Sequence, residues 1–246
     1  MVSLSIKSIK ALIIIGAFLQ LGLYTQAQTP GIGTWNVLTG RYNIDKRWHV
    51  FVELQLRSQQ TYHHFNYHEV KGGIGYNFLP NLTGLIGTGR YVTYPVDQDF
   101  GKPVLQTEQR VWQQVIYNQK INSIRIEHRL RAEQRYTSAG YRNRFRYRLN
   151  VIVPINKKQI GDNTLFISAS NEFHFNNDGV FYEQNRLYCG LGYQLNKSWS
   201  VQSGWMYRSD YFKNNRAQYK NFIQASIQFT LNSKKSSAPR VVGSVD

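Results

Sequence analysis

The sequence predicts an all-β fold: an antiparallel up-and-down transmembrane β-barrel of 10–12 strands that follows a cleaved signal peptide. Polar and apolar side chains alternate over most of the chain after residue 30, and a period of two is typical of strands. The alternating segments are about 12–16 residues long, whereas ordinary strands have about 5–6 and an inclined membrane strand needs about 9–11. The apolar positions of these segments are also almost free of charge.

Residues 1–27 have the three parts of a signal peptide. Lys7 and Lys10 form a basic start, residues 11–24 are mostly apolar, and residues 25–27 end in a small residue suited to cleavage. A membrane anchor helix is the alternative, but the apolar run is short for a span and polar residues follow it at once. Because residues 1–27 contain no cysteine, we expect no lipid anchor. Removal of the signal peptide changes the formal net charge from +16 to +14.

The composition limits the partners of the mature chain. Cys189 is the only cysteine, so the sequence predicts no internal disulfide and no cysteine-based metal site. A basic excess favours anionic partners, while a secretion signal argues against nucleic acid. We therefore expect an integral protein of the Gram-negative outer membrane that contacts outer-membrane lipid, lipopolysaccharide and small anionic solutes. The sequence leaves the oligomeric state open.

The alternation predicts a barrel over residues 28–232. It is lost over residues 233–246, which we expect to form a flexible tail. Bacterial single-chain barrels normally have an even number of strands. We count an odd number of segments, so either the first is not a full span or one is missing, and ten or twelve strands are expected. The segments are approximately 31–43, 46–58, 64–78, 82–94, 103–118, 121–137, 140–154, 163–176, 180–195, 198–212 and 216–231.

The connections between these segments form two sets. Residues 43–46, 77–81, 119–120 and 196–198 are predicted short turns, with the longer 154–163 in the same alternating set. Residues 58–64 and 94–103 belong to the other set and are predicted loops. Outer-membrane barrels place short turns in the periplasm and longer loops outside, so this mild asymmetry favours the membrane interpretation weakly.

Alternation alone also fits a soluble sandwich, in which the apolar faces of two sheets meet. The clean apolar face favours the barrel, because arginine facing lipid at mid-depth costs about 2–4 kcal/mol. Glu183 is the one acid at an apolar position, and it lies near a strand end. Aromatic residues at strand ends also favour a membrane barrel: Tyr136 and Tyr141 flank one turn, and Tyr207, Tyr211 and Tyr219 flank another.

Residues 125–151 carry a dense ladder of charge at alternate positions. A turn at Ser138-Ala139 predicts the opposed pairs Arg135–Arg142, Glu133–Arg144, Arg131–Arg146 and Arg129–Arg148. A turn at Gln119-Lys120 predicts Glu108 opposite Arg131 and Arg110 opposite Arg129. Opposite charges across strands stabilise each other, but arginines outnumber glutamates, so positive charge should remain inside. The predicted interior charge network is Glu53, Arg57, Glu108, Arg110, Arg125, Glu127, Arg129, Arg131, Glu133, Arg135, Arg142, Arg144, Arg146, Arg148, Glu172, Arg186 and Arg208.

Three interpretations of this network stay open. The charged side chains can fill the interior as a packed polar plug, as side chains do in small barrels. They can instead form an anion-selective passage or an anionic-ligand pocket, because rings of arginine and lysine favour anions. A non-conducting barrel that docks a partner or lipopolysaccharide is the third.

Catalytic chemistry has little support in the sequence. His128 lies at an apolar position, as a membrane phospholipase histidine would, but no serine and asparagine complete a motif. A contact between His128 or His174 and a serine or aspartate would support a lipid-modifying enzyme. His63 and His64 lie in a predicted loop, and the Asp97–Asp99 stretch lacks the other ligands of a calcium loop. We predict no catalytic residue, no cofactor and no metal site.

Several stretches form an ordered set along the mature chain: Trp35, WHVFVELQLR (48–57), GGIGYNF (72–78), TEQRVWQQ (107–114), RLRAEQR (129–135) with RNRFRYRL (142–149), NEFHF (171–175) and YEQNRLYCGLGY (182–193). In this order they resemble a family of porin-like outer-membrane β-barrel proteins from Gram-negative bacteria, filed as a domain of unknown function. The resemblance implies a porin-like barrel and supplies no activity or catalytic residue. The chain departs from many barrels by continuing past Phe229, so a terminal aromatic assembly signal would be internal here.

Overall fold

The protein forms one sheet that closes on itself. A computed structural model describes residues 31–96, 99–100 and 103–235. Over these residues the chain forms eleven strands: β1 (Gly33–Asn43), β2 (Trp48–Gln60), β3 (His63–Leu79), β4 (Leu82–Thr93), β5 (Gln106–Ile121), β6 (Ile124–Thr137), β7 (Gly140–Pro154), β8 (Thr164–Asn176), β9 (Tyr182–Gln194), β10 (Trp199–Tyr211) and β11 (Ala217–Asn232). A closed barrel replaces the two facing sheets that a sandwich requires.

The strands follow one another around the barrel in chain order, and each consecutive pair is antiparallel. The barrel closes between β1 and β11, which are parallel. An odd number of up-and-down strands requires this, because the first and last strands then run in the same direction. The eleven strands lie within the predicted range of 10–12, but the sheet is neither even-numbered nor wholly antiparallel as expected. The first segment is a full strand, since β1 pairs along its whole length with both β2 and β11.

The stagger of the strands sets the width and tilt of the barrel. From Val37 of β1, the register leads through β2–β6 to Gly140 of β7. In the other direction it leads through β11, β10, β9 and β8 to Pro154 of the same strand. These two positions are fourteen residues apart on β7, and for eleven strands this stagger corresponds to a tilt of roughly 40° from the barrel axis.

The two ends of the barrel carry different connections. We call the end where β1 begins the N-side end, and the end where β11 finishes the C-side end. Residues 61–62, 94–105, 138–139, 177–181 and 212–216 connect strands at the N-side end, and residues 44–47, 80–81, 122–123, 155–163 and 195–198 connect them at the C-side end. The predicted loop over 58–64 is a two-residue turn. The predicted turn at Gln119-Lys120 lies instead at Asn122-Ser123, because Asn122 takes the left-handed conformation (φ 56°) that the turn requires.

The turn between β1 and β2 is closed by one exposed carboxylate. Asp45 Oδ1 accepts hydrogen bonds from the backbone N–H groups of Trp48 (2.7 Å) and Arg47 (2.6 Å). These two bonds hold the pKa of the Asp45 carboxyl below its usual range. The sequence DKRW therefore supplies its own turn acceptor.

Side chains alternate between the two faces of the sheet. Large apolar residues such as Val52, Ile86, Leu130 and Leu191 point outward and are exposed. The charged residues between them point inward and are buried. A smaller apolar cluster also lies inside, around Trp35, Val37, Tyr188, Met206 and Phe222.

Aromatic rings gather near the strand ends. At the N-side end, Tyr136 packs on Tyr141 (ring centroids 5.1 Å apart) and Tyr207 stacks on Tyr219 (5.9 Å). At the C-side end, Trp48 packs on Tyr76 (4.7 Å) and Trp199 on Phe229 (4.4 Å). The outer surface therefore carries aromatic pairs near both ends, and its middle is mainly aliphatic with single aromatic residues such as Phe145 and Trp205.

The predicted signal peptide (residues 1–27) and most of the predicted tail, residues 236–246, lie outside the described residues. Within the described ranges, no helix is long and apolar enough to cross a membrane.

Candidate functional site

The charge ladder of β6 and β7 has the predicted register. Arg135 is opposite Arg142, Glu133 opposite Arg144, Arg131 opposite Arg146 and Arg129 opposite Arg148. The predicted β5–β6 pairs are wrong: Glu108 is opposite Thr137 and Arg110 is opposite Arg135. The later turn at Asn122-Ser123 moves the register and causes this difference.

Near the N-side end, Glu108 joins arginines from two strands. Its Oε2 accepts hydrogen bonds from Arg110 Nη2 (2.8 Å) and Arg135 Nη2 (2.9 Å), and its Oε1 accepts one from Arg135 Nε. The arginines are directly opposite each other across β5 and β6. One carboxylate between them therefore offsets a repulsion that the register creates.

Glu183 also lies in the interior, contrary to its assignment to the apolar face. It ion-pairs with Arg144 (2.6 Å), Arg142 (3.4 Å) and Arg135 (3.6 Å). The register between β8 and β9 shifts at this point: His174 pairs with Gln184, whereas Phe175 pairs with Tyr182. Glu183 is the extra residue of this bulge, and a bulge redirects a side chain that strict alternation would place outside.

Two buried glutamates hold the middle of the barrel. Glu133 binds Arg146 (2.7 Å) and Arg131 (3.4 Å), and lies 3.8 Å from Arg110.

Glu172 is the second of these glutamates. It binds Arg146 (2.9 Å) and Arg129, and lies 3.8 Å from Arg186 and 3.3 Å from His174. Arg146 therefore bridges Glu172 and Glu133, and the two acids belong to one network that joins β6, β7, β8 and β9.

A further cluster on β2 and β3 was only partly predicted. Glu53 pairs with Lys71 (2.7 Å) instead of an arginine, and Lys71 also binds Glu69 (2.8 Å). Glu69 in turn binds Arg57 (3.2 Å). Glu69 and Lys71 are not in the predicted network, although both side chains point inward from β3 and the charge pattern, extended to that strand, would include them.

The remaining predicted charges lie nearer the two ends. Towards the C-side end, Glu127 pairs with Arg148 (2.7 Å) and Arg125 (3.4 Å). Near the N-side end, Arg208 pairs with Asp210 (2.8 Å) and its side chain is 28% exposed. Arg208 is thus separate from the central network.

Several guanidinium groups stack on buried aromatic rings. Arg57 lies 3.5 Å from the Trp35 ring centroid and Arg110 lies 3.7 Å from that of Tyr91. Arg186 approaches the same Trp35 ring at 4.9 Å. Such contacts stabilise a desolvated arginine and hold its planar group in a fixed orientation.

A cavity of about 570 Å³ opens at the N-side end. Residues of the 177–181 and 212–216 connections border it, including Gly179 and Lys213. Basic side chains outnumber acidic ones in its wall: Arg57, Arg110, Arg135, Arg142, Arg144, Arg186, Arg208 and Lys213 against Glu108, Asp178, Glu183 and Asp210. Because guanidinium groups bind carboxylate and phosphate in a planar, bidentate manner, this cavity is the candidate functional site.

Below the cavity the interior is densely filled. A second cavity of about 20 Å³, lined by Arg148, Glu172 and Tyr188 among others, has room for about one water molecule. Side chains from many strands have essentially no exposure here: Trp35, Trp112, Glu127, Glu133, Ile152, Phe166 and His174. The central network therefore forms a floor beneath the large cavity.

The histidines show no hydrolase arrangement among the described residues. His128 lies on the outer face and contacts Tyr147 Oη (2.9 Å) and Gln119 Oε1 (3.3 Å). His174 is fully buried beside Glu172. No group of three or more His, Cys, Asp or Glu residues in the described ranges is placed to hold a metal ion.

Comparison with known proteins places the chain in a family. Searches of curated proteins and of solved structures found no match. A family model described as "Protein of unknown function (DUF2490)" matches residues 32–220, which run from just before β1 into β11. Because this match covers most of the chain and nearly the whole barrel, the protein belongs to the DUF2490 family.

Proposed function

We propose that this protein is an integral outer-membrane β-barrel whose N-side cavity binds small anionic solutes. The observation that carries the proposal is the excess of basic over acidic side chains around the 570 Å³ cavity. The other properties of the barrel support either its membrane location or the way in which the cavity is held.

The outer surface supports the membrane location. Its middle exposes mainly aliphatic side chains, and pairs of aromatic residues lie near both ends. Strand β2 has 13 residues, and at about 3.3 Å per residue and a tilt of roughly 40° it advances about 32 Å along the axis. The apolar band of outer-membrane barrels is about 25 Å tall, so the sheet is long enough to span it.

The wall of the cavity supports anion binding. Arg142 is only partly buried, with 32% of its side chain exposed, and is therefore accessible to a solute. Arg110 and Arg57 are held by aromatic stacking and ion pairs deeper in the cavity. Pre-oriented guanidinium groups lose little conformational entropy on binding, and their positive charge favours anions over cations.

The floor beneath the cavity favours binding over free passage. A solute that crosses the barrel must displace the network around Glu133 and Glu172, which is fully buried. We therefore expect the resting barrel to bind anions at the N-side end and to conduct only when this network rearranges.

The test is the binding of phosphate, sulfate and citrate to the full chain refolded in detergent, measured by calorimetry, with conductance in planar bilayers measured in parallel. We expect measurable affinity for these anions, none for inorganic cations, and anion preference in any conductance. The proposal is contradicted if the protein binds none of the three anions, or if its conductance is cation-selective.

A non-conducting barrel that docks lipopolysaccharide or a protein partner is a second candidate, favoured by the filled interior. It predicts no single-channel current under any condition and no affinity for free small anions. Binding to lipopolysaccharide vesicles without binding to citrate or phosphate would support this candidate over the first.

A further inference from the structure

Three arginines at the rim of the N-side cavity share a single carboxylate. Arg144 lies 2.6 Å from Glu183, Arg142 lies 3.4 Å away and Arg135 lies 3.6 Å away. Arg135 also binds Glu108, but the local charge remains positive. Three guanidinium groups arranged around one small anion have more donors than two carboxylate oxygens can accept.

The Arg144 side chain has donor capacity to spare. Its Nη2 lies 2.6 Å from Glu183 Oε2 as an ion pair, but neither that oxygen nor the buried Nε of Arg144 has a hydrogen-bond partner among the described residues, so the carboxylate matches the guanidinium group poorly. A buried donor without an acceptor costs free energy. An anion with more oxygens than a carboxylate would satisfy it better.

The carboxylate reaches this position through a local irregularity. Glu183 is the bulged second residue of β9 and follows the 177–181 connection directly. In that connection Gly179 has a left-handed backbone (φ 86°), and no atom lies near its missing side chain. The carboxylate is therefore supplied by a strand end beside an uncrowded loop, where a side chain can move at lower cost than at the centre of a strand.

We propose that Glu183 occupies a phosphate site, and that inorganic phosphate or a phosphate monoester binds Arg135, Arg142 and Arg144 by displacing its carboxylate. This inference rests on the proposed function and assigns a ligand class to one part of the cavity. A phosphate group carries three or more acceptor oxygens and up to two negative charges. It therefore matches three guanidinium groups better than a carboxylate does.

The decisive variant is Glu183→Gln, which removes the competing charge and keeps the shape of the side chain. Without the carboxylate, Arg142 and Arg144 lose their counter-charge until phosphate binds, while Arg135 keeps its ion pair with Glu108. We expect the affinity for inorganic phosphate to rise by about tenfold or more. The unfolding temperature in detergent should fall in chloride and recover in phosphate at the same ionic strength.

Asp178→Asn is the matched control. Asp178 lines the same cavity, but it is Glu183 and not Asp178 that pairs with Arg135, Arg142 and Arg144. Asp178→Asn removes one negative charge from the N-side cavity, as Glu183→Gln does, but leaves Glu183 in contact with the three arginines. We expect phosphate affinity to change by less than about threefold, as a screened long-range effect does.

A second pair of variants keeps the inference testable if Glu183→Gln folds poorly. Arg142→Gln and Arg208→Gln each remove one positive charge from the cavity, but only Arg142 contacts Glu183. We expect Arg142→Gln to lower phosphate affinity by about tenfold and Arg208→Gln to lower it by less. If Glu183→Gln fails to fold in chloride, refolding in phosphate should rescue it. Folding is measured by electrophoresis of unheated samples, in which a folded barrel migrates differently from the heat-denatured chain.

The outcomes separate this inference from the proposed function. If wild type, Glu183→Gln and Asp178→Asn bind phosphate equally, the displacement is wrong while anion binding stands. Equal losses in Arg142→Gln and Arg208→Gln, or a failure of phosphate to rescue Glu183→Gln, would also overturn it. If none of the proteins binds phosphate, sulfate or citrate, the proposed function fails as well.

Discussion

Glu133 illustrates how much a single charge matters inside this barrel. Its carboxylate is 0% exposed and pairs with Arg146 and Arg131. Arg146 depends on Glu172 as well. The loss of one acid therefore leaves several buried guanidinium groups with too little counter-charge.

We predict that Glu133→Gln lowers the free energy of unfolding by about 3–5 kcal/mol, the usual cost of breaking a buried ion pair from one side. Urea unfolding in detergent or lipid vesicles measures this change. Asp178→Asn, an exposed change of the same kind, should have little effect. A loss below about 1 kcal/mol for Glu133→Gln would mean that the network is hydrated instead of closed.

Residues on the outer face report on the surroundings of the barrel. Leu130 lies at the middle of β6 and is 59% exposed, and Tyr136 lies near the end of the same strand and is 52% exposed. Both side chains point outward from the barrel. In water, arginine at either position would be equally acceptable.

In lipid vesicles we predict that Leu130→Arg lowers the free energy of unfolding by about 2–4 kcal/mol, the cost of arginine at the bilayer midplane. Tyr136→Arg should cost about 0–1 kcal/mol, because it lies near the interface. Equal stability of the two variants and the wild type would place both positions in water and contradict the membrane location.

At the scale of strands and turns, the sequence predicted most of the fold. All eleven segments match observed strands closely, because clean alternation and long length leave few other structures. The β6–β7 register followed from the turn at Ser138-Ala139. Closure of an up-and-down barrel between its first and last strands was implied, but the parallel direction of the β1–β11 pair was not predicted, because it follows from the odd strand number.

The errors in the candidate site have local backbone causes. The predicted β5–β6 turn lies three residues before the observed one, because the alternation of side chains does not show that Asn122 adopts a left-handed conformation. Glu183 was assigned to the outer face, because a one-residue bulge is invisible to strict alternation. The shape of the cavity depends on both features and therefore could not be derived from the pattern alone.

The Asn122 turn can be tested directly. We predict that Asn122→Val destabilises the barrel by about 1 kcal/mol or more, because a β-branched residue resists a φ of 56°. Asn122→Gly should change stability little, because glycine adopts this conformation freely. Unfolding midpoints in urea measure both variants. Equal stability of the valine and glycine variants would contradict the turn assignment.

At the scale of the whole molecule, the odd strand number places the start of β1 and the end of β11 at opposite ends of the barrel. Strand β1 begins at the N-side end and β11 finishes at the C-side end. An even barrel would place both at one end. If the barrel spans a membrane, its two terminal segments therefore emerge on opposite sides.

We predict that a protease site inserted directly before Gly33 and one inserted after Asn232 differ in accessibility in intact cells. One should be cut by added protease and the other should be protected until the outer membrane is permeabilised. Cleavage at both sites, or at neither until permeabilisation, would contradict the topology.

The most direct test of the central claim, that the apolar face of the closed sheet meets lipid, uses the native thiol. Cys189 is the only cysteine in the chain and lies mid-strand on β9 at an outward position between Leu187 and Leu191. A nitroxide attached to it in lipid vesicles reports collisions with oxygen, which concentrates in hydrocarbon, and with a water-soluble nickel chelate. Because this face should lie in hydrocarbon, we expect frequent collisions with oxygen and almost none with the nickel chelate. Frequent nickel collisions would place this face in water and contradict the membrane barrel.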